Sequence, residues 1–536
     1  MIPPITMPMS MSTPAASWNT SLSVSAVMVR PRPCSITLPS QQRTDKRMNI
    51  GQWQRFEASF DNSTPYDNAY ADVTLNVTFE RPDGSTVAYW GFYDGGTTWR
   101  VRFMPDQLGE WQYTARFSDG AAAGDGSFTC VESDLPGMLA VDESNPLWFG
   151  YKGGAHGQIR SLHVGDCFFA SNLPAEQRTA FLDWAASQGY NLLSIGSYYL
   201  NRDAPGRGTG WDTPQLWPLD AAEYRRMEAI VDDVTRRQLM IFPFGGFFGR
   251  AARFPTDPAD QELYVRYTLA RLGANWNILL NVSGPEPLLD KEPNAPLVLP
   301  KTELDRLGGL IQSLNVFGHP MTIHNKTGDD DYLDDDYVDF GTLQGPKTTD
   351  LNVLSEGLLK NHHPAKPLYV QETLWSGNKH GHPDYTDEQV RKNAYVILMS
   401  AGALNFSDNG GAEPGALGDS SSGFSGTLNL NDRRQWRHDI LKMIWDYFET
   451  IPFYGMSPRQ DLVSAGYCLA QAGAQYLVYL PGGGTVDLTT EGGPFAITWI
   501  NAQNTAEQID GGTTTDGHNL SAPDSGDDWL VYLRKS

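Results

Sequence analysis

The hydrophobic period of this chain changes twice, and the two changes constrain its architecture more than any other feature. From residue 48 to 140 apolar residues recur at every second position, as in Thr74-Leu75-Asn76-Val77-Thr78-Phe79 and Trp99-Arg100-Val101-Arg102-Phe103. That is the period of half-buried strands, and Arg81-Pro82-Asp83-Gly84-Ser85 reads as a turn between two of them. From 141 to 454 short apolar runs alternate with helical stretches. Asp220 and Glu223 open one helix with a capping-box pattern, and Met227, Ile230, Val231 and Val234 share its apolar face. Leu304, Leu307, Leu310, Ile311 and Leu314 form a second such face; Thr386 and Gln389 open a third helix; Ile440, Leu441, Ile444 and Trp445 mark a fourth. Between them lie strand candidates at 159–168, 191–195, 239–244, 278–282, 321–324, 338–343, 368–371 and 403–406. From 455 to 536 strand-like segments such as Tyr476-Leu477-Val478-Tyr479-Leu480 return, separated by glycine-rich turns. The expectation is a multidomain α/β chain: a central (β/α)8 TIM barrel over 141–454, a β-sandwich over 48–140 and a smaller one over 455–536.

Composition narrows the partners. The 536 residues carry a net charge of −23, which disfavours nucleic acid and anionic membrane. No apolar run is long enough to span a bilayer. An anionic substrate is disfavoured unless basic residues gather locally; a neutral sugar is not. The 15 tryptophans and 23 tyrosines suit cores and sugar faces alike, so only those near strand ends bear on function. Cys34, Cys130, Cys167 and Cys468 show no CxxC spacing, so no zinc site is indicated, although a Cys130–Cys468 bridge is conceivable. Residues 1–47, rich in Met, Pro, Ser and Thr, lack the basic start and apolar core of a secretory signal and read as a disordered extension. Localisation and oligomeric state are not encoded in any recognisable form.

Two carboxylates stand out. Glu286 follows the fourth strand candidate in Asn281-Val282-Ser283-Gly284-Pro285-Glu286, and Glu372 ends the seventh in Tyr369-Val370-Gln371-Glu372. Side chains at the C-terminal ends of parallel barrel strands converge on one site, and a facing carboxylate pair is the minimum for cleaving a glycosidic bond. In such a pair one carboxyl is kept protonated by burial and by repulsion from its partner, and the other is kept ionised by hydrogen bonds. The competing reading is two surface glutamates at strand ends.

Substrate-contact candidates follow the same logic. Asp166 ends the first strand; His324 and Asn325 end the fifth; Gln344 follows the sixth and Asp408 the eighth. Phe247 lies in Phe244-Gly245-Gly246-Phe247-Phe248, where paired glycines permit close backbone approach and core packing explains the rings equally well. Trp211 lies in a long loop after the second strand, and Trp375, three residues past Glu372, is a candidate sugar platform. The acidic run 329–336 lacks the spacing of an EF-hand and reads as a solvated loop. His362-His363 and His380-Gly381-His382 have no partner at ligand spacing, so no metal and no cofactor is expected.

The segment from Tyr89 to Tyr113, Tyr-Trp-Gly-Phe-Tyr-Asp-Gly-Gly-Thr-Thr-Trp-Arg-Val-Arg-Phe-Met-Pro-Asp-Gln-Leu-Gly-Glu-Trp-Gln-Tyr, resembles the Ig-like domain that precedes many bacterial barrel glycosidases. Tyr476-Leu-Val-Tyr-Leu-Pro-Gly-Gly-Gly and Asp528-Trp529 resemble the β-sandwich, once labelled collagen-binding, that follows such barrels. The whole arrangement after Met48 is similar to the apiosidase-like glycoside hydrolases, relatives of the large retaining clan of (β/α)8 enzymes. The resemblance implies an acid/base after the fourth strand and a nucleophile after the seventh, which are Glu286 and Glu372 here. It implies a retaining glycosidase acting on a plant or algal polysaccharide or oligosaccharide. The clan usually places Asn before its acid/base, whereas Pro285 stands there in this chain. An inverting enzyme and a non-catalytic carbohydrate-binding protein on the same scaffold are the alternatives.

Overall fold

The computed structural model describes residues 48–165, 168–169, 174–195, 217–248, 254–284, 299–327, 331–376, 382–408 and 434–536. The proposed extension 1–47 and the residues Asp166, Cys167, Trp211 and Glu286 lie outside them, as does Cys34.

Period-2 patterning in the N-terminal part gives two sheets. A five-stranded sheet runs in the order Asn49–Gly51, Gly124–Val131, Gly109–Phe117, Leu75–Glu80, Thr86–Trp90, and a three-stranded one in the order Phe56–Asp61, Thr98–Phe103, Phe92–Tyr93. Along Leu75–Glu80 burial alternates strictly, with Leu75, Val77 and Phe79 inward. The inner rings stack between the two sheets: Phe79 on Phe103 at 3.9 Å and Phe56 on Phe128 at 4.3 Å between centroids. The C-terminal part forms a six-stranded antiparallel sheet and a two-stranded ladder of Gly483–Val486 with Leu520–Ser525, closed over Tyr476, Phe495 and Trp529.

The middle of the chain alternates strands with helices α1 (Ala175–Ser187), α2 (Ala221–Thr235), α3 (Pro258–Leu272), α4 (Lys301–Leu314), α5 (Leu351–Lys360), α6 (Asp387–Met399) and α7 (Gln435–Glu449). Local chemistry sets several starts. Asp220, Asp257 and Asp350 cap α2, α3 and α5 by accepting backbone N–H groups, and Thr386 with Gln389 forms a complete capping box on α6. On α4, Leu304, Leu307 and Ile311 are the buried stripe.

The strands make a half-barrel parallel sheet of seven, in the order Met240–Pro243, Leu192–Ile195, Ser161–Gly165, Gly402–Asp408, Leu368–Ser376, Gly341–Gln344, His324–Thr327. Leu280–Asn281 and Met321–Thr322 pair in a separate two-stranded ladder, joined to the sheet's edge by the single parallel bridge Ile241–Ile278. The expected closed (β/α)8 barrel is therefore corrected to an interrupted parallel array. The ladder breaks where its hydrogen-bonding groups are diverted. Pro243 and Pro320 have no N–H to offer. Asn281 Nδ2 donates to Phe244 O at 2.5 Å, and Phe247 N and Phe248 N take the carbonyls of Asn281 and Val282. Glycine is required at this break, since a Cβ at Gly246 (φ +67°) would stand 2.5 Å from Asn281 O.

Cys130 and Cys468 are both free and buried, which overturns the bridge between them. Among the described residues no helix is long and apolar enough to cross a membrane.

Candidate active site

The strand Leu368–Ser376 is buried along its whole length and carries Gln371, Glu372 and Trp375. Glu372 is 4 % exposed. Gln344, the last residue of the neighbouring strand, donates from Nε2 to Glu372 Oε2 at 2.7 Å. The chain then turns, with Gly345 N donating to the Glu372 carbonyl at 3.0 Å, and this turn carries Lys347 back so that Nζ donates to Oε1 at 3.3 Å. His382 Nε2 lies 3.5 Å from the same oxygen. Burial alone would push the Glu372 carboxyl up. The His382 contact, the Lys347 charge and the Gln344 hydrogen bond outweigh it and hold the group far below the usual carboxylate range. Glu372 is thus an ionised carboxylate in a buried setting.

Rings enclose it. Trp375 is 0 % exposed and packs against two imidazoles, His163 at 4.0 Å and His382 at 5.7 Å between ring centroids, both nearly parallel to it. Buried in this way and with Nε1 donating to Gln371 O at 2.9 Å, Trp375 is not an open sugar platform; it is a wall against which the histidines pack. Phe244 packs 5.3 Å from His163 and 5.9 Å from His324. Desolvation keeps these imidazoles neutral, pushing His163 down to about 3 and His324 to about 4. Each is also coupled electrostatically to Glu372, so both belong around the same carboxylate.

Several buried polar atoms in this group have no hydrogen-bond partner among the described residues: His163 Nε2, both ring nitrogens of His324, Asn325 Nδ2 and Gln371 Oε1. Gln371 lies close enough to His324 to oppose slightly the effect of its burial, but without normal hydrogen-bond geometry. Orphaned buried donors and acceptors are costly, and a cluster of them at the carboxyl ends of parallel strands is where ligands bind in open α/β sheets. Among the described residues no group of three or more His, Cys, Asp or Glu side chains has metal-binding geometry.

Other candidates fall elsewhere. Phe247 packs on Tyr264 of α3 at 5.9 Å and lines a small apolar void between sheet and helix, with Thr268 and Leu280. Asp408 ends its strand opposite Ser376 in register. A Cβ at Gly284 would stand 2.4 Å from His324 Cβ, so the segment that leads to Glu286 leaves the described residues beside His324. Three contributors escaped the sequence reading. Lys347 was missed altogether; only its place three residues past Gln344 hinted at it. His163 lay inside an apolar run, and His382 was weighed only as a metal ligand.

Comparisons with known proteins bear on the fold. A domain family of unknown function, DUF5060, matches residues 49–118. No curated protein matches the chain. Among solved structures, the chain is similar to a candidate glycoside hydrolase from Bacteroides vulgatus, at 16% identity and a TM-score of 0.69, over 91% of this chain and 100% of that one. It is also similar to a second protein described as a glycoside hydrolase (15%, TM-score 0.57, covering 76% and 99%). A third is a family 5 glycoside hydrolase from Bacteroides vulgatus (16%, TM-score 0.56, covering 76% and 95%). The chain has a glycoside-hydrolase-like fold.

Proposed function

We propose that the protein is a retaining O-glycoside hydrolase of the apiosidase-like kind, with Glu372 as nucleophile and Glu286 as acid/base. The observation that carries this reading is Glu372 itself: a buried carboxylate midway along the parallel strand Leu368–Ser376, kept ionised by Lys347, His382 and Gln344, the last residue of the neighbouring strand. A buried anion that stays charged is equipped to attack or stabilise an oxocarbenium-like anomeric carbon. Its partner must be protonated to donate to the leaving oxygen, and Glu286 is the residue proposed for that role.

The unpartnered atoms support a neutral, hydroxyl-rich substrate. A sugar hydroxyl both donates and accepts, so it satisfies Asn325 Nδ2 and Gln371 Oε1 equally well. The Lys347 charge is already matched by Glu372, which leaves it unavailable for a sugar carboxylate. This favours a neutral plant or algal polysaccharide or oligosaccharide. Residues 48–140 and 455–536 are proposed as separate domains that brace the catalytic part. Arg391 Nη2 on Asp528 at 2.8 Å and Tyr395 stacked on Tyr479 at 4.7 Å between ring centroids support that role for the second of them.

The deciding experiment uses aryl glycosides with an activated leaving group. Glu286→Ala should lose turnover and regain part of it with added azide, giving a glycosyl azide of the same anomeric configuration as the substrate, because azide displaces Glu372 from the glycosyl-enzyme. NMR of the wild-type product should show the substrate's anomeric configuration first. An inverted first product would overturn the retaining mechanism. A Glu286→Ala variant as active as wild type would overturn the acid/base assignment.

A further inference from the structure

A cleft of about 270 Å³, lined by none of the residues around Glu372, opens where the three-stranded N-terminal sheet meets the start of α3. Tyr70, Trp90 and Tyr93 come from the N-terminal part, and Asp260, Glu262 and Arg266 from the helix. Its rings are fixed. Tyr70 stands edge-on to Tyr93 at 5.2 Å and its hydroxyl accepts from Ala221 N; Trp90 Nε1 donates to Arg266 O at 3.0 Å.

Arg266 is the unusual member. Its guanidinium lies 5.2 Å over the Trp90 ring and is partly withdrawn from water. Glu262 is one helical turn away, at the spacing where an ion pair ordinarily forms, yet among the described residues no carboxylate pairs with Arg266. Its planar fork of five donors is held by a ring on one side and left without a hydrogen-bond acceptor. The desolvation that accompanies this lowers the affinity of Arg266 for its proton.

We propose that this cleft is a second carbohydrate-binding site that holds a neutral glycan chain away from the catalytic centre. The chemistry of the walls selects that class. Tyr70 and Tyr93 offer apolar ring surface to the C–H face of a pyranose. Arg266 donates to ring hydroxyls, and Asp260 and Glu262, both exposed on the first turns of α3, accept from them. Two carboxylates beside one guanidinium disfavour an acidic chain. The volume lies below the roughly 300–1,000 Å³ of drug-sized pockets and suits one sugar residue of a longer polymer. The site stands on residues that the proposed catalysis does not use.

The test is retardation in native gels containing galactomannan, arabinoxylan, xyloglucan, mixed-linkage β-glucan or polygalacturonate. Wild-type protein should be retarded by at least one neutral polymer and not by polygalacturonate. Arg266→Ala and, separately, Tyr93→Ala should lose at least three-quarters of that retardation, while far-UV circular dichroism and turnover of small aryl glycosides stay unchanged. Equal retardation of wild type and both variants would overturn the proposal, as would the absence of retardation by every neutral polymer. Because binding is read without turnover, a failure of the catalytic assignment leaves this result interpretable.

Discussion

Two of the clusters of buried charge among the described residues are built on opposite rules. The first joins the N-terminal sheets to α2 and α3. Arg271 is 0 % exposed; its Nη2 donates to Asp94 Oδ1 at 2.9 Å and to Glu228 Oε2 at 2.8 Å, and its Nη1 to Tyr267 OH at 2.9 Å. Arg102 adds an ion pair to Glu228 at 2.9 Å and one to Glu57 at 2.7 Å. Every member is matched by opposite charge and by hydrogen bonds. The second cluster surrounds Glu372, where one lysine, one amide and neutral imidazoles face a single carboxylate and several buried polar atoms remain unpartnered. Saturation marks a structural joint. Incomplete satisfaction at comparable burial marks a place that waits for a ligand.

The largest effect that separates the two belongs to chemistry. Glu372→Gln keeps the shape and the Gln344 contact region but removes the negative charge. Turnover should fall by roughly 10⁴-fold or more, with far-UV circular dichroism close to wild type and a lower melting temperature, since the charge that Lys347 and His382 stabilise is gone. A variant retaining a tenth of wild-type activity would place Glu372 in the structural class with Glu228. The mirror-image change is Arg271→Ala, which strands Glu228 and Asp94 in the interior. It should cost about 3–5 kcal/mol of stability, read as a lower urea midpoint. A loss below about 1 kcal/mol would show that the joint tolerates unpaired charge and that saturation is not the criterion.

How much of this was legible in the sequence follows from what sequence pattern encodes. Strand and helix alternation was readable because period is a local property: the candidate at 191–195 is observed as Leu192–Ile195, and that at 402–408 was anticipated at 403–406. Glu372, Gln344 and His324 were readable because each ends an apolar run. The failure of the sheet to close was not, because it depends on Asn281 reaching the carbonyl of Phe244, a contact across 37 residues. Lys347 and His382 were missed for a related reason. They lie on turns, and only the path of those turns brings them to the carboxylate. Trp375 was misread because sequence places an aromatic near a site without revealing that the ring is wholly buried against His163 and His382.

The histidines sharpen the comparison through pH. His163 and His324 are held neutral by burial, at about 3 and about 4, below the ordinary value near 6.5. The unfolded chain therefore binds protons that the folded one refuses as pH falls below about 6.5, and stability drops with pH across the window down to those folded values. Each should cost about 2 kcal/mol by pH 5. Glu372 acts in the same direction at lower pH: its depressed folded value makes its contribution full at neutrality and lost as pH falls below the ordinary carboxylate range. Thermal unfolding of a His163→Gln, His324→Gln double variant between pH 7 and pH 5 should show a smaller drop in melting temperature than wild type. Equal drops would assign acid sensitivity to other groups.

The smallest effect distinguishes two buried lysine contacts. Lys347 supports the charge of Glu372, whereas Lys366 Nζ donates to the backbone carbonyls of Leu333 and Asp335 at 2.6 and 2.9 Å. Removing the Lys347 charge lets the Glu372 carboxyl rise toward its usual range. In Lys347→Met the acid limb of kcat/KM should therefore shift to higher pH, with the loss of activity growing as pH falls through the ordinary carboxylate range, and Lys347→Arg should restore much of the limb. Lys366→Met should leave the limb where it is while lowering the melting temperature, because its partners take no part in the charge balance of the carboxylate. If both substitutions leave the limb in place, the ionisation of Glu372 rests on Gln344 and His382, and the lysine is a structural strut like those at the arginine joint.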